Sequence, residues 1–171
     1  MHMHLLPRQR SQRRVPAGLL IATIYRRINL AVGARVRHHG LTPRQFWVLV
    51  RVYEHMGLSL RELAEQSRMG QTTASRVIST LAKRKLVRID EYARDRRRAR
   101  LVLTTSGYAL AKELRVLAVE LRRALEAGFS GTEREVLRSF LTKILANIDR
   151  FQRKRGAGRV SSPSSQTGNL S

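Results

Sequence analysis

Residues 59–104 read SLRELAEQSRMGQTTASRVISTLAKRKLVRIDEYARDRRRARLVLT, and this stretch decides the fold. Ser59 with Glu62 three residues later is a capping box, in which each side chain satisfies an otherwise orphaned N–H of the first helical turn. Leu60, Leu63 and Ala64 then bury a short helix that stops around Met69 and Gly70. A second helix is expected over 71–85, with Ala74, Val77, Ile78 and Leu81 forming one apolar stripe at spacings of three and four. Its other face carries Gln71, Thr72, Ser75, Arg76, Ser79 and Lys83. Leu86, Val87 and Ile89 begin a strand, and 100–104 returns it, with Leu101 and Leu103 alternating against Arg100 and Val102. Between them lies a loop loaded with arginine. The order is that of a winged helix-turn-helix.

Outward from this stretch the chain is helical. On the N-terminal side, Ala17, Ile21, Ile24, Ile28 and Ala31 recur at helical spacing and predict a first helix from about Ala17 to His38, ending near Gly40. Thr42, Pro43 and Gln45 supply a cap, a first-turn proline and a capping-box partner for a second helix. Phe46, Leu49, Val50 and Tyr53 share one face of it, with Trp47 and Val48 alongside. On the C-terminal side, Thr104 caps a helix in which Leu110, Leu114, Leu117, Leu121 and Leu125 mostly follow a heptad rhythm, closed by Gly128. A last helix is capped by Ser130 with Glu133 or by Thr132 with Glu135, two equivalent local signals. Leu137, Leu141, Ile144, Ile148 and Phe151 repeat the rhythm there. These two helices expose a narrow apolar seam that one small domain does not need, and a second copy of the chain would cover it. The expected fold class is therefore mainly α with a small β-hairpin wing, a winged helix-turn-helix plus a helical dimerisation region. The expected organisation is a basic arm over 1–16, one domain over 17–154 and a Gly-, Ser- and Pro-rich disordered tail over 155–171. Within the domain, 17–40 and 105–154 are dimerisation helices and 41–104 is the winged helix-turn-helix.

Composition narrows the function. The chain has 171 residues, 34 Lys and Arg against 12 Asp and Glu, and a net charge of +22. Such a field attracts polyanions. Arg8, Arg10, Arg13 and Arg14 crowd the start, where they are as readily a solvated charge run as a contact. Arg94, Arg96, Arg97, Arg98 and Arg100 crowd the wing. There is no cysteine, which excludes disulfides and thiolate metal sites and suits a reducing cytoplasm. Arg13 and Arg14 ahead of an apolar run imitate a signal peptide, but Arg26 and Arg27 interrupt it; no stretch is long enough to span a membrane. No nucleophile motif, phosphate loop or metal-spaced cluster is present. The acids a nuclease would need, Asp90, Glu91 and Asp95, sit on a hairpin among arginines, so an enzyme is the weakest reading.

A helix entering the major groove must be polar at its leading end and buried on one stripe only. The 71–85 segment meets both conditions. Its candidate DNA-binding residues are Gln71, Thr72, Thr73, Ser75, Arg76, Ser79 and Lys83, with Ser59 at the preceding cap. A glutamine amide pairs with adenine and an arginine fork with guanine, while the small hydroxyl residues let the backbone approach closely. The wing, 91–99, would set Arg94, Arg96, Arg97 and Arg98 against phosphates or in the narrow minor groove, with Asp95 either holding one arginine in place or serving as turn chemistry.

These residues resemble the MarR family of bacterial regulators, the multiple-antibiotic-resistance regulator type. Asp95, Arg96 and Arg97 followed by Leu101, Leu103, Thr104 and Gly107 match its D-x-R…L-x-L-T-x-x-G signature. Leu41, Thr42, Gln45 and Leu49, and Ser75, Arg76, Leu81, Leu86 and Val87, add support. The resemblance covers about 17–152. It implies a homodimer whose first, fifth and sixth helices interlock, with each protomer reading half of a near-palindromic operator as a regulator, probably of the repressing kind. It also implies a small lipophilic effector, for which Tyr25, His38, His39, Trp47 and Tyr53 are the candidate lining. The chain departs from the pattern at Lys85, where glycine is usual, and at Arg88 and Ile89, where a Glu-Arg pair is usual. Neighbouring His38 and His39 suggest a zinc-sensing branch. Adjacent histidines on a helix point apart, however, no cysteine is near and the fifth helix has no histidine, so neither metal nor cofactor is expected. The rival class is a basic architectural or RNA-associated protein without sequence preference, since +22 alone binds nucleic acid at low salt.

Overall fold

A computed structural model describes residues 15–90 and 99–157. The elements run α1 (Ala17–Val36), a 3-10 turn (Arg37–His39), α2 (Pro43–Glu54), α3 (Leu60–Gln66), α4 (Gln71–Lys83), β1 (Val87–Asp90), β2 (Arg100–Leu103), α5 (Thr105–Leu125) and α6 (Gly131–Ala157). The chain forms two compact units, Met1–Val119 and Glu120–Ser171, with the boundary inside α5.

In the first unit the local signals act as read. Thr42 and Gln45 form a reciprocal capping box on α2, and Ser59 and Glu62 form another on α3. The Gly107 N–H donates to Thr104 Oγ1 at 3.0 Å, capping α5. Phe46, Leu49, Leu63, Leu81 and Leu101 are the largest of the fully buried side chains, and they lock α2, α3 and α4 onto the hairpin. β1 and β2 pair antiparallel with Val87 opposite Leu103 and Ile89 opposite Leu101, so the apolar residues share one face. One further main-chain bond, Leu101 N–H to the Leu58 carbonyl at 2.8 Å, ties β2 to the segment before α3.

Three helix ends differ from the expected ones, and all three end in the same way. α1 stops at Val36 rather than His38, α3 at Gln66 rather than near Met69, and α4 at Lys83 rather than Lys85. Gly40, Arg68 and Lys85 turn left-handed with φ of 63°, 51° and 56°. At Lys85 its N–H bonds the Ala82 carbonyl at 2.8 Å while the Leu86 N–H reaches back to Leu81 at 3.0 Å. This is a Schellman motif, with buried Leu81 and Leu86 as its hydrophobic pair. A side chain at a left-handed position is strained, so Lys85→Gly should stabilise the fold by about 1 kcal/mol. Urea unfolding that moved the midpoint downward would contradict this.

The buried stripe of α5 is Gly107, Ala111, Leu114 and Ala118 rather than the leucine heptad. Small residues let the helix approach closely, leaving Leu110, Leu117 and Leu121 half-buried and Leu125 exposed. In the second unit the cap of α6 is the Ser130–Glu133 pair, with Ser130 N–H donating to Glu133 Oε2 at 2.8 Å. Val136, Leu137, Phe140, Leu141, Leu145, Ile148 and Phe151 of α6 are all exposed. No helix among the described residues is long and apolar enough to cross a membrane.

Candidate nucleic-acid interface

Helix α4 is divided cleanly. Ala74, Val77, Ile78 and Leu81 are buried, while Gln71, Thr72, Ser75, Arg76, Ser79 and Lys83 are exposed. At about 100° per residue these six span a single arc of the helix. Thr73 falls outside it, beside Val77, and is half-buried, so it is the weakest of the α4 candidates. No acid lies in the first turn of α4, and Gly70 precedes it without a side-chain cap, leaving the first N–H groups open to an anion.

Ser59 has a different occupation. Its hydroxyl donates to Glu62 Oε2 at 2.7 Å and accepts from the Glu62 N–H at 3.2 Å. Glu62 also takes Arg100 Nη1 at 2.9 Å, joining the cap of α3 to β2. The Ser59 main-chain and hydroxyl bonds, with Arg100 adding to them, hold the Glu62 carboxyl below the usual glutamate range. Arg88 pairs with Asp90 along β1, placing an ion pair near the wing base despite the missing Glu-Arg pair. Arg94, Asp95, Arg96, Arg97 and Arg98, the remainder of the wing site, lie outside the described residues, as do the N-terminal arginines.

The five candidate effector residues fall into three groups. Tyr25 and Trp47 line one cleft of about 410 Å³ with Asn29, Arg44, Arg51 and Met69. A neighbouring cleft of about 420 Å³ runs from Tyr25 and Thr42 to Arg76 and Thr80 on α4. Tyr53 instead meets Tyr108 with ring centroids 5.1 Å apart, and the hydrogen bond between them pushes the Tyr53 hydroxyl above its ordinary pKa. His38 and His39 lie together, centroids 3.8 Å apart. The expectation that they point apart is wrong, because they occupy the 3-10 turn after α1 and not its regular helix. His39 Nε2 meets Glu113 Oε1 of α5 at 3.1 Å.

Sequence reading missed two residues. Arg84, directly after α4, donates through Nη1 to the Gly40 carbonyl at 2.8 Å and through Nη2 to the His39 carbonyl at 2.6 Å. It thereby ties the end of α4 to the left-handed turn after α1. Glu113 is the other. Neither belongs to a periodic pattern or a local cap, so nothing in the sequence marked them.

The MarR family model matches residues 39–98. Two Bacillus subtilis proteins, the uncharacterized HTH-type transcriptional regulators YybA and YwaE, are similar over 110 residues. YybA is 28% identical, covering 64% of this chain and 73% of its own length; YwaE is 31% identical, covering 64% of each. Among solved structures, MepR of S. aureus in a DNA complex has a TM-score of 0.71 at 25% identity, covering 78% of this chain and 99% of MepR.

Proposed function

This chain belongs to the MarR family of winged-helix transcriptional regulators, which bind DNA and are not enzymes, and from that premise we propose that it acts as a homodimeric, sequence-specific repressor of a near-palindromic operator. The observation that carries the reading is the undivided polar arc of α4 opposite its buried stripe. In this reading Gln71, Thr72, Ser75, Arg76 and Ser79 enter the major groove, Lys83 neutralises phosphate, and the wing arginines Arg94, Arg96, Arg97 and Arg98 supply affinity at the minor groove. Ser59 acts through its cap, by fixing the start of α3. The relative solved with DNA supports this assignment of partner.

The dimer is supported by the exposed apolar side chains of α6 and, separately, by those of α1, where Leu19, Leu20, Ile24 and Leu30 face outward. Two-fold symmetry places the two recognition helices about 34 Å apart, one DNA turn. An effector fits the cleft of Tyr25 and Trp47, because two rings and the guanidinium groups of Arg44 and Arg51 suit a flat, anionic small molecule. Binding there would act on DNA affinity through the adjoining cleft that Arg76 lines.

The test compares binding to DNA upstream of the protein's own gene with binding to random duplex as salt is raised. Preference for the upstream DNA should persist at physiological salt; equal affinities would favour the unspecific architectural reading that a net charge of +22 also permits. Within that assay, Arg76→Ala should relax sequence preference by about 1–3 kcal/mol at one position. Arg97→Ala should instead weaken all sequences and flatten the salt slope by about one unit. Preserved preference after Arg76→Ala would move base reading to Gln71 or the hydroxyl residues.

A further inference from the structure

Outside the α4 face, one cluster brings metal-ligating atoms together from distant parts of the chain. His38 and His39 come from the turn after α1 and Glu113 from the second turn of α5, 74 residues beyond His39. One ligand atom from each lies within 4.8 Å of the other two. The closest pair, His39 Nε2 and Glu113 Oε1, is already at 3.1 Å. A zinc ion bonded at about 2.0–2.2 Å to imidazole and carboxylate needs its ligand atoms about 3.3–3.5 Å apart. Ordinary side-chain rotation supplies the difference, since His38 is exposed and the Glu113 side chain is 64% exposed. Two imidazoles and one carboxylate are a ligand set for zinc-class divalent ions, with a fourth position left for water.

The same turn is mechanically connected. The His39 and Gly40 carbonyls are both held by the Arg84 guanidinium, one residue beyond α4. We propose that His38, His39 and Glu113 form a binding site for one zinc-class divalent cation per chain, and that the ion biases the DNA-binding helix through the His39 main chain and Arg84. Clamping Glu113 to both histidines fixes α5 against the turn, and the two charge-assisted bonds of Arg84 pass that constraint to the end of α4. The ion-binding claim stands on the cluster alone, whereas the coupling claim rests on the reading of α4 as the DNA-contacting helix.

Cobalt(II) and zinc titrations of the full-length chain test the site, in a His2→Ala, His4→Ala background that removes the imidazoles of the N-terminus. The expected result is one ion per chain, with visible cobalt absorption of tetrahedral intensity that zinc abolishes. Glu113→Gln and His38→Ala should each lower affinity at least tenfold while leaving the metal-free circular dichroism spectrum unchanged. Affinity unaltered by both substitutions would overturn the site. Coupling is read as an at least threefold change in operator affinity on adding zinc, lost in Glu113→Gln and in Arg84→Gln. An ion bound at the site without any such change would overturn the coupling. Failure to bind operator with or without zinc would instead count against the DNA reading, leaving the metal site supported by its own titration.

Discussion

Gly107→Ala is expected to destabilise the protein by about 3 kcal/mol or more, at or beyond the upper end of ordinary overpacking costs. A Cβ on Gly107 would lie 1.8 Å from the Leu86 carbonyl oxygen and 2.7 Å from its carbon. The obstacle is main chain, so no rotamer relieves it. Leu86 cannot retreat, because its N–H bonds Leu81, its carbonyl accepts from Thr104 N–H at 3.1 Å and its side chain is buried. Nor can α5 move without breaking the Thr104 cap, whose hydroxyl bonds both the Gly107 N–H and the Lys85 carbonyl. The whole junction of α4, β1 and α5 must shift. Thermal unfolding should show a fall in Tm of roughly 10 °C for a chain of this size. Gly131→Ala is the control, since a Cβ there meets nothing within 4 Å. A Gly107→Ala protein as stable as that control would refute the close approach.

The second large effect concerns the outer face of α6. Phe140 is 61% and Phe151 59% exposed, with Leu141 and Ile148 on the same helix also open. Soluble monomers rarely leave so many large apolar side chains in one row. Leu141→Glu combined with Ile148→Glu should therefore convert a dimer to a monomer in sedimentation experiments. Operator affinity should fall at least a hundredfold, because each half-site then binds without the effective concentration its neighbour supplies. Neither residue belongs to the first unit or its core, so the circular dichroism spectrum of the winged helix-turn-helix should survive. A wild-type chain that sediments as a monomer, or a charged variant that remains dimeric, would remove α6 from the interface.

The same two regions show where sequence reading succeeds. The capping boxes at Thr42 and Ser59 and the stripe of α4 join residues three or four apart, and such contacts follow from helix geometry whatever surrounds them. The cap of α6 was ambiguous for the same reason, because two equally good local signals stood two residues apart and only the observed helix start selected Ser130. The leucine rhythm of α5 was read as its seam, yet the residues it buries within the first unit are the small ones. Periodicity reports that a face is apolar and does not say which partner will press on it. At Lys85 the family pattern pointed to a left-handed residue, and the backbone is left-handed there with lysine in place.

The sequence by itself determined the order of elements, the polar arc of α4 and the surplus of positive charge, because each depends on near neighbours or on composition. Only the tertiary structure decided that Thr73 turns toward the buried side, that Ser59 spends its hydroxyl on Glu62, and that Tyr25 shares a cleft with Trp47 and not with Tyr53. It alone decided that Arg84 grips carbonyls 44 and 45 residues away and that His38 and His39 meet Glu113. Such contacts join chain segments whose separation in sequence carries no period. They exist only once the buried stripes of α2, α4 and α5 have packed and set the distances between the side chains on their remaining faces.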